Sequence, residues 1–227
     1  MFFLKHKQML FLLCMFLFFN FSGCSNRMEN TPKETIMEKN PYGFENMKNE
    51  LKANKDVSTT EMEDAFKKIK DLSEFEGINE VIAIVNGKEI TRFSFEAQKI
   101  TKEVQYNLTT KEIMYSLIRP IVIQTEAERL KLKPSQDGID EYISSLEYSL
   151  DNEYVQTYMK AKELSYEEYM KEQKENAYKM FLTDALCKYA ETLPEYDDAE
   201  SYINHLIKYA DIKIYDSEIE KECLKLK

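Results

Sequence analysis

Tryptophan is missing altogether, and glycine, proline, histidine and cysteine are scarce among the 227 residues: five, five, two and four. With Gly23 set aside, Gly43, Gly77, Gly87 and Gly138 remain. They are too few for a backbone phosphate cradle, and neither a Walker loop nor GxGxxG occurs. After Gly23 the only histidine is His205, so no pair of imidazoles can share a site. No CxxC or Cys/His spacing points to zinc. Positive charge is also in deficit. Once Lys5 and Lys7 are set aside, 29 Lys+Arg face 41 Asp+Glu, a formal −12. Nucleic acid is excluded as a partner, because phosphate binding needs a basic patch. A second, electrostatic contact with anionic lipids is excluded on the same ground. The chain therefore reads as a non-enzyme with no catalytic residue, cofactor or metal.

What is present begins at the N-terminus. Lys5 and Lys7 precede an unbroken apolar run over residues 9–19, followed by Phe21-Ser22-Gly23-Cys24. A charged start, an apolar stretch and a small-residue cleavage site form a secretory signal. The run is short of the roughly 17–25 residues a spanning helix needs. Ser22, Gly23 and Cys24 resemble the bacterial lipobox, with Phe21 where leucine is usual. That resemblance implies a signal peptide over 1–23 and a diacylglyceryl group on Cys24. The alternatives are an ordinary cleaved signal and a short uncleaved anchor. Two acyl chains give stable attachment where one gives marginal binding. The implied location is the cell membrane, lipid-anchored on its extracytoplasmic face. Cys14 leaves with the signal, so Cys187 and Cys223 remain. An oxidising exterior permits their bridging, but two isolated cysteines read first as free thiols.

Residues 24–57 read as a flexible tether, polar and carrying Pro32, Pro41 and Gly43, with little to bury. A short helix is expected over 58–77. It opens on Ser58 and Glu61 at capping-box spacing, shows Met62, Phe66, Ile69 and Leu72 as a stripe, and ends at Gly77. A domain over 78–227 follows. Val81 to Val85 is the clearest strand, and Asn86-Gly87 suits a tight hairpin with positive φ at both positions. Residues 89–91 return. A helix is expected from Thr109 to about Lys131, kinked or split by Pro120. Pro134-Ser135 then precedes a helix with Ile139, Ile143, Leu146 and Leu150 on one face. Ser165 and Glu168 open another helix to about Lys188, one more covers 198–209, and residues 211–215 form a closing strand paired with the first. The fold class is mainly α, with a small hairpin and a C-terminal strand.

The stretch VIAIVNGKEITRFSF, from Val81 to Phe95, resembles the opening of the SurA-type N-terminal chaperone domain, found also in PrsA-like foldase lipoproteins. Val85, Asn86, Gly87, Ile90 and Thr91 carry the match, and the order of later elements follows it to about residue 216. The resemblance implies a non-catalytic, chaperone-like lipoprotein that binds exported or unfolded polypeptides. The alternative is an accessory surface lipoprotein that binds one specific envelope partner. No space is left for a parvulin-type prolyl isomerase domain, and its histidine pair is missing.

Other candidates read as ordinary structure. His205 is a helix residue without a partner imidazole, and Cys187 lacks a recognisable base. Glu167-Glu168 and Asp197-Asp198 suit helix starts, where acids complement the dipole. Tyrosine is the unusual residue, with 15 copies all beyond Cys24. Tyr142, Tyr148, Tyr154, Tyr158, Tyr166, Tyr169 and Tyr178 crowd the middle helices with Met159, Met170 and Met180. They read first as core, and second as an adaptable apolar surface for unfolded segments.

Overall fold

The computed structural model describes residues 39–47, 57–106 and 108–224. Cys24, the whole signal segment and most of the expected tether lie outside them. Eight α-helices and one three-stranded sheet make up the described residues beside a single 3-10 turn. The mainly helical class with a small sheet is therefore correct.

The hairpin forms as Asn86-Gly87 demands. Strand β1 (Val81–Val85) pairs antiparallel with β2 (Lys88–Thr91), Val85 opposite Lys88. Asn86 and Gly87 adopt φ of 49° and 79°. The third strand, β3 (Ile212–Ile214), pairs with β1 on its other side, so the order is β2-β1-β3. Val85 faces Ile212 and Ala83 faces Ile214 across the ladder, and Ile90 lies opposite Ala83. These five residues form the buried face. A register slip between Val81 and Ala83 accompanies burial of Ile82 too, while Ile84 pairs with the exposed Lys213 and stays half-buried.

Helix α1 (Thr59–Leu72) opens on the capping box of Ser58 and Glu61. It is shorter than the expected 58–77. After Leu72 the amides of Ser73, Glu74 and Phe75 each bond three residues back, tightening the chain into turns before it reaches Gly77. Thr91 caps α2 (Arg92–Gln105), and Thr109 with Glu112 caps α3 (Thr110–Arg129). Helix α3 runs unbroken through Pro120, so of the expected kink or split there is no split. Proline denies the Ser116 carbonyl its amide, but Leu117, Ile118, Ile121 and Val122 are all buried. Packing on both sides of the lost bond holds the helix together. Its end is a Schellman arrangement: Lys131 takes φ 57°, and the Leu132 and Lys131 amides donate to Ala127 and Glu128.

Ser135 caps α4 (Gln136–Glu147). Asn152 then opens α5 (Glu153–Lys162), an element the apolar spacing did not predict. The 25-residue α6 (Tyr166–Ala190) follows its capping box. Asp198 caps α7 (Ala199–Tyr209). Beyond β3 comes a second unforeseen helix, α8 (Ser217–Leu224), which buries Ile219 and Cys223.

Two apolar clusters result. The first joins the sheet, α3, α7, α8 and the last turns of α6. The second joins α1, α2, α5 and the first turns of α6. Helix α1 is thus packed into the same body as the rest, through Met62, Phe66 and Ile69. Residues 39–47 correct the tether boundary. They were expected to be flexible, but Tyr42 and Phe44 are buried in the first cluster. Two aromatic anchors in an otherwise polar stretch are enough to dock it.

Candidate functional site: an aromatic end and an anchoring strap

Helix α6 spans both clusters, so each end of the molecule has its own character. At the second cluster the core is built from Tyr158, Tyr169, Phe66, Met62 and Met170. The Tyr158 ring meets Phe66 edge-on at 5.0 Å and Tyr169 at 6.2 Å. The Tyr158 hydroxyl donates to Glu172 at 2.6 Å and accepts from Lys162 Nζ at 2.9 Å, and Lys162 closes the ring to Glu172 at 2.8 Å. This triangle ties α5 to α6. Around this end large rings stand in solvent: Phe75 after α1 is 63% exposed, Tyr148 after α4 is 92% exposed, and Tyr166 at the start of α6 is exposed as well. Of the tyrosines and methionines singled out in sequence, Tyr158, Tyr169 and Met170 are core, Tyr148, Tyr166 and Tyr178 are exposed, and Tyr142, Tyr154, Met159 and Met180 are half-buried. Spacing alone could not separate the two roles, because Tyr148 sits just past a helix end.

At the first cluster the described N-terminal segment forms a strap across α7. The Asn40 side-chain amide donates to the Ile207 carbonyl at 2.6 Å and the Lys208 carbonyl at 2.9 Å. Its backbone amide also donates to Lys208 at 3.1 Å. These carbonyls are among the orphan acceptors of a helix C-terminus. The Tyr42 hydroxyl reaches Glu220 of α8 at 3.2 Å, and Phe44 is fully buried. Sequence reading missed this strap. Its only signal was the pair of aromatics in a polar run.

Ionisable groups elsewhere are explained by structure. Asp198 accepts from the Ser201 amide and hydroxyl, both at 2.7 Å, which holds its carboxyl below the usual range. Glu168 is held low in the same way by its bonds to Ser165. Both paired-acid motifs are therefore helix caps. His205 is exposed, its ring 5.4 Å from Tyr196 and 4.9 Å from Tyr209. Cys187 and Cys223 are free thiols. Burial pushes the Cys187 thiol up despite nearby Arg119, and burial pushes Cys223 up to about 12. Neither is poised as a nucleophile, which requires thiolate.

Three polar groups were not foreseen. Glu126 of α3 accepts from Tyr202 of α7 and from Arg129 at 2.7 Å. Burial raises its carboxyl, but Arg129 and Tyr202 outweigh this and hold it low. Arg119 of α3 pairs with Glu200 of α7 at 2.7 Å. Gln173 of α6 is fully buried, with both side-chain polar atoms lacking a hydrogen-bond partner. Among the described residues no three His, Cys, Asp or Glu side chains group to hold a metal ion. No helix there is long and apolar enough to cross a membrane. Comparison of the chain with protein-family models, curated proteins and solved structures returns no match.

Proposed function

We propose that this chain is a lipid-anchored, extracytoplasmic protein of SurA/PrsA type with a chaperone-like, non-catalytic role, holding exported or unfolded polypeptides near the membrane. The observation that carries the reading is the aromatic end. Phe75, Tyr148 and Tyr166 stand exposed around a core rich in tyrosine and methionine. Large rings with polar tips and unbranched methionines suit contact with varied apolar segments. The sheet adds support of a different kind. Its order, β2-β1-β3, is the one expected from the family resemblance, with the last strand closing on the first. The lipid on Cys24 supplies the location.

The test is suppression of aggregation of a chemically unfolded client by the mature protein. Replacing Phe75, Tyr148 and Tyr166 together by serine should remove most of the protection, whereas Tyr215→Ser, at the other end, should leave it intact. Equal protection by all three proteins refutes the aromatic end as the binding surface. Recovery of one tight partner on crosslinking in intact cells, with no protection of unfolded clients, would instead favour the accessory role. Metabolic labelling with a palmitate analogue should mark the wild type and not Cys24→Ala.

A further inference from the structure

The strap alters how far the folded body can stand from its anchor. A tether running from Cys24 to residue 57 would reach about 110 Å at full extension, at roughly 3.3 Å per residue. Among the described residues, contacts begin at Lys39 and Asn40, where Lys39 Nζ pairs with Glu45 at 2.7 Å and Asn40 caps the end of α7. However residues 24–38 are arranged, they can span only about 50 Å. Helix α6, which links the two clusters, is itself about 37 Å long at 1.5 Å per residue over 25 residues. The strap is therefore fastened to the first cluster, which α6 joins to the second. The exposed Phe75, Tyr148 and Tyr166 flank the second.

We propose that residues 39–47 are an orienting strap: they fasten the lipid-bearing segment to the α7 and α8 end, so that on average this end lies nearer the lipid surface than the aromatic end. The proposal rests on the lipid attachment at Cys24. Several contacts make the fastening firm. Asn40 gives three hydrogen bonds to the last carbonyls of α7. Tyr42 and Phe44 are buried with their rings 5.5 Å apart, and Tyr42 binds α8 through Glu220. The acid excess of the mature chain opposes adsorption of the body onto anionic lipids, so the strap is left to set which end lies nearer. For a protein that collects unfolded segments, an outward aromatic end keeps the binding rings out of the lipid and open to clients.

The lack of tryptophan gives a clean test. Single-tryptophan variants Tyr215→Trp and Tyr148→Trp of the full lipidated chain are reconstituted in phosphatidylcholine vesicles carrying a dansyl-labelled lipid. Both positions are exposed, one at each end. Energy transfer to the lipid should be larger from position 215 than from 148. Inserting a long Gly-Ser segment between residues 30 and 31, in a protein whose circular dichroism and melting temperature match the parent, should abolish the difference. Replacing both Asn40 and Tyr42 by serine should do so too, in a protein shown by circular dichroism to remain helical. Equal or reversed transfer in the parent overturns the orientation, and a difference that survives the insertion overturns the strap as its cause. Failure of the wild type to float with vesicles overturns the lipid attachment and the orientation with it, whereas flotation with equal transfer overturns the orientation alone.

Discussion

Gly138 lies in the first turn of α4, its amide donating to the Ser135 hydroxyl at 3.1 Å. A Cβ added there would stand 2.5 Å from Phe181 Cε1, 2.9 Å from Cζ and 3.0 Å from Cδ1. Carbon atoms prefer about 3.5–4.0 Å, so the phenyl ring of α6 must move. Two effects compete in Gly138→Ala. Removing a helical glycine gains about 0.5–1 kcal/mol through the unfolded chain. Overpacking costs about 1–3 kcal/mol, toward the low end where a half-buried ring can swing aside. The cost wins by about 0.5 kcal/mol, or some 1–2 °C in melting temperature for a chain of this size. Denaturant unfolding followed by far-ultraviolet circular dichroism reads it directly. The decisive arm is the same change in a Phe181→Leu background. With the ring gone the clash is gone, and Gly138→Ala should there stabilise by the helix gain alone. The sign reversal between the two backgrounds is the coupling a double-mutant cycle measures. If Gly138→Ala stabilises the parent as well, Phe181 does not constrain the α4 to α6 contact and the reasoning fails.

Two further outcomes follow from named groups. Burial pulls the Lys102 ammonium down to about 8, against about 10.4 in the unfolded chain. Below pH 8 the folded protein must carry that charge in a desolvated place. Between about pH 8 and 10.4 the unfolded state binds more protons, so this group's cost shrinks as pH rises. Lys102→Met should be the more stable protein at neutral pH, by on the order of 2 kcal/mol, with an advantage that narrows on titration toward pH 10; an advantage independent of pH would refute the burial argument. At the hairpin, Gly87 has φ 79° with nothing within 4 Å of an added Cβ, so only backbone strain opposes substitution. Gly87→Val should cost about 1–2 kcal/mol and Gly87→Asn much less, and equal midpoints for the two variants in urea would remove the turn as the cause.

Much of the architecture was legible because it was written in short-range chemistry. Ser58, Thr109 and Ser165 cap the helices they were expected to open, and Ser135 and Asp198 cap helices whose starts were expected beside them. Asn86-Gly87 specifies its turn by its own φ preference, and the β-branched runs at 81–85 and 212–214 pair as expected. What escaped has a physical reason in each case. Helix α5 offers only Val155, Tyr158 and Ala161 as buried residues, too short a stripe to separate from its neighbours. Helix α8 buries just Ile219 and Cys223. The extent of α1 was overestimated because Gly77 was read as the stop, whereas three-residue bonds after Leu72 end it first. The strap was hidden because average polarity describes a segment poorly when two of its residues do the docking. The aromatic end was half visible: the tyrosines were conspicuous, but exposure depends on how α4 and α6 meet, which no local pattern encodes.

The distribution of sequence between the two cores bears on what the molecule can do. The first core draws on the earliest and latest described segments: residues 39–47, the hairpin, β3 and α8. Its contacts are long in sequence, and Asn40 bonds residues more than 160 positions away. Such a core closes only when the whole chain is present. The second core is gathered from α1, α2, α5 and the start of α6, joined to the first through α6 and the hairpin-to-α2 connection. Buried polar side chains lie along these connecting helices. Gln98 of α2 donates to Ser116 of α3 at 2.9 Å, and Gln173 of α6 has no hydrogen-bonding partner for either end of its amide. An unsatisfied buried amide costs about 1–3 kcal/mol, so the helix carrying Gln173 is less tightly fastened there than an apolar residue would allow. If the proposed chaperone-like role holds, adaptation to varied clients is better placed at the second core, where exposed rings surround methionine and tyrosine packing. The first core, closed by strand, strap and C-terminal helix, is suited to stay fixed while the other end yields.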